Sequence, residues 1–229
     1  MWTDLPPNVR PEMLAARFWL DRAPDPDAPL LTVDAIAAFN AHVHTTLGLP
    51  PLFDLPDALP AADIRAAIAR YDPPTGAYYG SDGQPWGADD IAALRDKTHP
   101  PLPDPVPVRW GLVTRRTDVR AFPTDVVATS EPYAFAFDRF QETTVDVGWP
   151  LAALATSRDG RWLFCLTPLY WGWVRAGDIA FGPRQAVAAY VQAEPFAVIM
   201  ASRALVSLGG GGGVTPQMGT RLPVEAQDE

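Results

Sequence analysis

Within residues 116–181 the chain never stays apolar for long. Short apolar or alternating runs are broken by Gly, Pro, Asp and Ser at intervals of about ten residues, a pattern that confines this stretch to short antiparallel strands of a small barrel. Residues 145–147, ended by Gly148-Trp149-Pro150, read as a strand end and turn, and 151–155 as the next strand. Ser157-Arg158-Asp159-Gly160 carries the Asp-Gly hairpin signal. On the return, Trp162, Phe164 and Leu166 alternate with Leu163, Cys165 and Thr167. Residues 171–174 follow a Pro-marked turn and lead into a last strand at 178–181.

The N-terminal half reads as helical. Met13, Leu14, Phe18 and Trp19 share a face of one short helix in an irregular arm. Thr32 is placed to cap a second helix, in which Ile36, Phe39, Val43 and Leu47 recur at three- to four-residue spacing until Gly48 stops it. Ile64, Ile68 and Tyr71 line a third, and Ile91 and Leu94 point inward from a fourth over 89–97. Residues 78–86 form a Gly-rich aromatic loop. Prolines 100, 101, 103, 105 and 107 make 99–107 a stiff extended linker. Beyond the barrel, 185–191 is ambiguous between helix and strand, 196–208 begins β-prone, and the five glycines at 209–213 have the freedom of a flexible loop or tether. The class expected is α+β, divided as 1–107 (helical cap and linker), 108–184 (barrel) and 185–229.

Charge narrows the partners. The formal net charge of −9 argues against a nucleic-acid surface. The acidity is concentrated up to Val108, with 7 basic and 15 acidic side chains, whereas 109–185 has 9 against 8. No apolar run approaches the roughly 20 residues of a membrane span. The start, M-W-T-D-L-P-P-N-V-R-P-E, has no basic region followed by an apolar core, so no secretory signal is visible; either one was removed or the protein works inside the cell, and the compartment stays open.

Few side chains offer chemistry. Cys165 is the only thiol, so it forms no internal disulfide. It sits in an alternating strand with no histidine after His99, and it reads as packing; no catalytic residue is assigned. His42 and His44 lie two apart on a helix, roughly 200° around its axis, and no metal site or cofactor is expected. Asp89-Asp90 favour a helix start. Asp118 lies between Arg116 and Arg120 at strand spacing, which suggests an ion-pair ladder or an orienting contact. Trp162 and Trp173 read as core. Tyr133, Asp138, Gln141, Tyr170 and Trp171 fall instead in turns or loops.

R-T-D-V-R-A-F-P-T, F-D-R-F-Q, S-R-D-G-R-W and Y-W-G-W-V-R-A-G-D-I-A occur in that order. Their combination resembles the bacterial SH3-like domain of NlpC-type cell-wall peptidases. Residues 30–40 and 88–110 resemble that family's N-terminal stabilising segment, and 196–223, with M-G-T-R-L-P, resembles the start of a second SH3-like unit. The resemblance implies a helical cap packed on an SH3-like barrel, serving a papain-like catalytic domain that lies in a further C-terminal part or on a separate chain; the ending here looks like an unfinished domain. It implies the accessory, substrate-recognition portion of a γ-D-glutamyl-L-diamino-acid endopeptidase that cuts peptidoglycan stem peptides, non-catalytic on its own. In that family the loop containing Tyr133, Asp138 and Gln141 faces the peptidase cleft and helps recognise the free amino end of a stem peptide. Asp138, beside Tyr170 and Trp171, is the candidate acid for such an ammonium. Two alternatives stand: a stand-alone module that binds cell-wall peptides or a partner protein, and a structural remnant whose catalytic partner was lost.

Overall fold

The computed structural model describes residues 5–71, 77–208 and 211–224. The chain divides into two compact units, Met1–Leu47 and Gly48–Glu229.

The first unit holds a 3-10 turn (Pro11–Leu14), helix α1 (Ala16–Leu20) and helix α2 (Val33–Leu47). Trp19 Nε1 donates to the Met13 carbonyl at 2.8 Å, and Phe18 meets Trp19 edge to face. The Thr32 hydroxyl accepts from the Ala35 amide at 3.2 Å, so the expected cap is present. No residue of α2 is buried, and Val33, Ile36, Phe39 and Leu47 are all exposed.

The second unit is built around one antiparallel sheet. Its earlier elements are a 3-10 turn (Leu52–Asp54), β1 (Ala58–Leu59), α3 (Ala61–Ala69), α4 (Ala88–Thr98) and β2 (Val106–Pro107), the last paired with β1. The barrel strands follow: β3 (Arg109–Val113), β4 (Thr117–Arg120), β5 (Gln141–Val145), β6 (Pro150–Thr156), β7 (Trp162–Leu166), β8 (Trp171–Arg175) and β9 (Ile179–Phe181). Their order is β5-β4-β8-β7-β6-β3-β9. Gly160, at φ +72°, supplies the left-handed residue that the turn between β6 and β7 requires.

Side-chain alternation sorts the strands into an inside and an outside. Val113, Val119, Val145, Leu151, Leu163, Cys165 and Val174, drawn from six strands, form one interior cluster. On the outside, Trp162, Phe164 and Trp173 pack under Ile64 and Ile68 of α3. A bulge in β6 between Ala153 and Ala155 resets the alternation, so Leu154 and Ala155 both join that outer cluster. A third cluster joins Leu49, Leu52 and Leu55 to Trp110, Leu166 and Val187.

The Pro-rich approach to the barrel is not a free spacer at its end. Val106 is buried in the cluster under α3, and the Asp104 carboxylate accepts from the Ala61 amide at the start of that helix. The ambiguous segment after the barrel is helix α5 (Arg184–Gln192), whose Val187 is buried against the outer sheet face. Two small antiparallel pairs follow: β10 (Phe196–Val198) with β13 (Arg221–Pro223), and β11 (Val206–Leu208) with β12 (Gly212–Val214). The glycine run therefore differs from a plain tether. Gly212 and Gly213 are paired strand residues and Gly211 turns at φ +88°, while Gly209 and Gly210, like the ending at 225–229, lie outside the described residues.

Candidate recognition site

The site starts from the end of β4. Gly172 of β8 lies so close there that a Cβ would meet Val119 Cγ1 at 2.6 Å and the Arg120 carbonyl at 2.9 Å. This tight crossing leaves Arg120 almost wholly buried, and its guanidinium meets Asp138 at 2.8 Å and the Val126 carbonyl at 3.0 Å. Arg120 Nε is buried without a hydrogen-bond partner among the described residues. Asp138 Oδ1 accepts the amides of Ala128 and Phe140 at 3.2 and 3.0 Å. A buried charge is costly unless paired and hydrogen-bonded, and here three donors meet one carboxylate. Asp138 is thus committed to fastening the loop between β4 and β5.

The loop base is also packed. Phe122, Ala128 and Phe140 cluster with Leu94 of α4, and Tyr78 and Trp86 rest on Phe140. Tyr79 and Thr129 exchange backbone hydrogen bonds, both 3.0 Å. Beyond this base the tip is solvated: Tyr133, Phe135 and Phe137 are exposed. Tyr133 adopts φ +60° and lays its ring over Gly83, where any Cβ would collide with it at 2.3 Å.

A second group forms at the turn between β7 and β8. The Thr167 hydroxyl accepts the amides of Leu169 and Tyr170 and donates to the Tyr170 carbonyl, which fixes the turn. Trp171 stacks on Phe164, with the Arg70 guanidinium 5.9 Å from its ring centre. The Tyr71 hydroxyl donates to the Trp171 carbonyl at 3.1 Å. Tyr170 faces Tyr71 and the Glu142 carboxylate. Burial, then the Glu142 charge, push the Tyr71 phenol well above its usual range. A hydrogen bond to Glu142, then burial, raise that of Tyr170. Trp171 Nε1 is buried with no partner among the described residues.

The structure therefore brings Tyr170 and Trp171 together, but with Glu142 and Tyr71. Asp138 is turned to Arg120, Gln141 donates to Asp118 at 3.2 Å, and Tyr133 sits on the 80–85 turn. The Arg116–Asp118–Arg120 ladder does not form; the two arginines reach Asp146 and Asp138 instead, because a carboxylate on a neighbouring segment lies closer to each head group. Glu142 is the residue of β5 that the register shift leaves without a partner on β4, and nothing in the sequence ties it to Tyr71. Cys165 is wholly buried inside the barrel, and burial raises its thiol far from the thiolate form a nucleophile needs. Among the described residues no group of three His, Cys, Asp or Glu is placed to hold a metal ion, and no helix is long and apolar enough to cross a membrane.

Residues 130–175 match the family described as SH3 domain (SH3b1 type). That span contains the exposed loop tip, Asp138, Gln141, Glu142, Tyr170 and Trp171. Among solved structures, the chain is similar to an NlpC/P60 endopeptidase from Photobacterium damselae subsp. piscicida, with a TM-score of 0.59 at 14% identity. The likeness covers 85% of this chain and 47% of that one, so the chain spans about half the length of that protein. At this identity the likeness is one of fold. No curated protein matches the chain.

Proposed function

We propose that this chain is the accessory, substrate-recognising portion of a cell-wall endopeptidase acting on γ-D-glutamyl-L-diamino-acid bonds of peptidoglycan stem peptides, with cleavage supplied by a papain-like domain not contained in residues 1–229. In this reading residues 1–107 act as the stabilising segment, 108–184 as the recognising barrel and 185–229 as the start of a second SH3-like unit. The observation that carries the proposal is the Glu142 carboxylate facing the Tyr170 and Tyr71 phenols on an SH3b1-like barrel, with Tyr71 tied to the neighbouring Trp171 carbonyl. An acid with aromatic neighbours suits the ammonium of a stem peptide's free amino end. Glu142 then takes the ligand-facing part first expected of Asp138. In this reading Asp138 acts one step back, holding the loop whose tip carries Tyr133, and Gln141, Tyr170 and Trp171 are assigned to the peptide-binding surface.

Calorimetric titration with an L-Ala-γ-D-Glu-diamino-acid peptide, free or acetylated at its amino end, tests this. Acetylation is expected to weaken binding at least about tenfold, and Glu142→Gln to do the same without lowering thermal stability. Asp138→Asn should weaken binding only together with stability, by about 3 to 5 kcal/mol, since it leaves Arg120 buried and unpaired. Equal affinity for the two peptides, or an indifferent Glu142→Gln, rejects ammonium recognition. Absence of heat with either peptide rejects binding by this chain alone and leaves it a scaffold for its catalytic partner.

A further inference from the structure

A separate cleft of about 560 Å³ lies between the barrel and the C-terminal hairpin. Three arginines line it from two segments, Arg115 and Arg116 from the connection between β3 and β4 and Arg203 from the approach to β11, and among the described residues no acidic side chain lines it. Two of the guanidiniums are held from behind. Arg115 Nε donates to Asp178 at 2.8 Å, and Arg116 donates to Asp146 at 3.2 Å and to the Thr144 hydroxyl at 2.6 Å. Both carboxylates are nearly inaccessible, with side chains 4% and 8% exposed. Asp146 also accepts the Val147 and Gln217 amides, which fastens the hairpin across the cleft. Arg203 is exposed and has no acidic partner among the described residues.

The geometry points to a binding site for the terminal carboxylate of a peptide. A guanidinium has five donors in a flat fork, so Arg115 and Arg116 still offer N–H groups toward the cleft after satisfying their carboxylates. Arg203, with no acidic partner among the described residues, adds a third fork, and Thr215 lines the same cleft. Among the described residues, three arginines over two buried aspartates leave one positive charge. That matches a singly charged carboxylate better than a phosphate dianion, and it stands out in a chain whose net charge is −9. The cavity also exceeds what a bare carboxylate fills, leaving room for the residues that precede a chain end. This site shares no residue with the Glu142 cluster, and its test is independent of it.

The test uses Ac-Ala-Ala-Ala with a free C-terminal carboxylate, the same peptide as its amide, acetate, and inorganic phosphate. Binding is followed through the arginine side-chain N–H resonances of the full chain. The acid should bind at least about tenfold more tightly than the amide, and Arg203→Gln should reduce it to the level of the amide. Arg203 is exposed, so that variant keeps the fold, and unchanged backbone resonances check it. The inference is overturned if acid and amide bind alike or if Arg203→Gln binds the acid as the unaltered chain does. Acetate binding as tightly as the peptide, or phosphate more tightly, overturns it equally.

Discussion

Strand β7 and helix α2 both display an apolar pattern in the sequence, and the structure treats them in opposite ways. All five residues of β7 are buried, whereas none of the fifteen in α2 is. β7 sits in the middle of the sheet between β6 and β8, with interior residues on one face and α3 and its neighbours on the other. Each of its side chains has a partner supplied by another part of the same unit. The face of α2 formed by Ile36 and Phe39 is 45% and 60% exposed. Periodicity shows which side of an element is apolar, and burial depends on what the rest of the chain brings to it.

The strongest way to break that contrast is to truncate β7. Phe164 is fully buried, between Trp171 at 6.1 Å and Trp173 at 5.3 Å. Phe164→Ala should cost about 3 to 5 kcal/mol, through lost transfer energy and a cavity that two rigid indoles fill poorly. Urea unfolding should show a lower midpoint with an unchanged slope. A loss under about 1 kcal/mol would mean that the outer face of the barrel repacks freely, contrary to its close packing.

The same division between local and distant explains what the sequence reveals. Strand alternation, the Asp159-Gly160 turn and the Thr32 cap depend on neighbours a few residues apart, and each is found where expected. The bulge at β6 escapes such reading, because it depends on how β6 pairs with β7. Helix α5 reads ambiguously in the sequence because its assignment rests on Val187 finding the barrel surface. At the site, the residue types were legible and the pairings were not. Asp138 reads as a free acid until Arg120, eighteen positions away, is seen to take it. Glu142 and Tyr71 belong together only because Tyr71, just beyond α3, is carried across to the β7–β8 turn.

An intermediate effect is expected at that junction. Tyr71→Phe removes the hydrogen bond to the Trp171 carbonyl and should cost about 1 kcal/mol at neutral pH. The pH dependence adds a signature. Folding raises the Tyr71 phenol above its ordinary value of 10.0, chiefly by burial, so the folded state holds the proton more tightly than the unfolded one. The stability this contributes is fully present below pH 10 and is lost as the pH climbs from there toward the folded value. Unfolding curves recorded from pH 8 to 11 should therefore fall less steeply above pH 10 in Tyr71→Phe. Cys165, Tyr170 and Tyr190 are raised as well and keep some alkaline sensitivity in the variant. Parallel curves for the two proteins would show that Tyr71 is solvated and does not join α3 to the turn.

The smallest effect is expected on α2, and it tests the other side of the contrast. Phe39→Ser replaces an aromatic ring that is 60% exposed with a small polar side chain in the second turn of the helix. Little apolar surface returns to water, and serine is only slightly different from phenylalanine in helix propensity. The change in stability should stay within about 0.5 kcal/mol, and helix content by circular dichroism should be unchanged. Such a result would give a direct measure of the difference between the two elements, several kcal/mol for one aromatic ring in β7 and almost nothing for another in α2. A loss above about 2 kcal/mol would mean that Phe39 is covered in solution. The contrast with β7 would then fail, and the apolar spacing of Ile36, Phe39 and Val43 would report a packed face like that of α3.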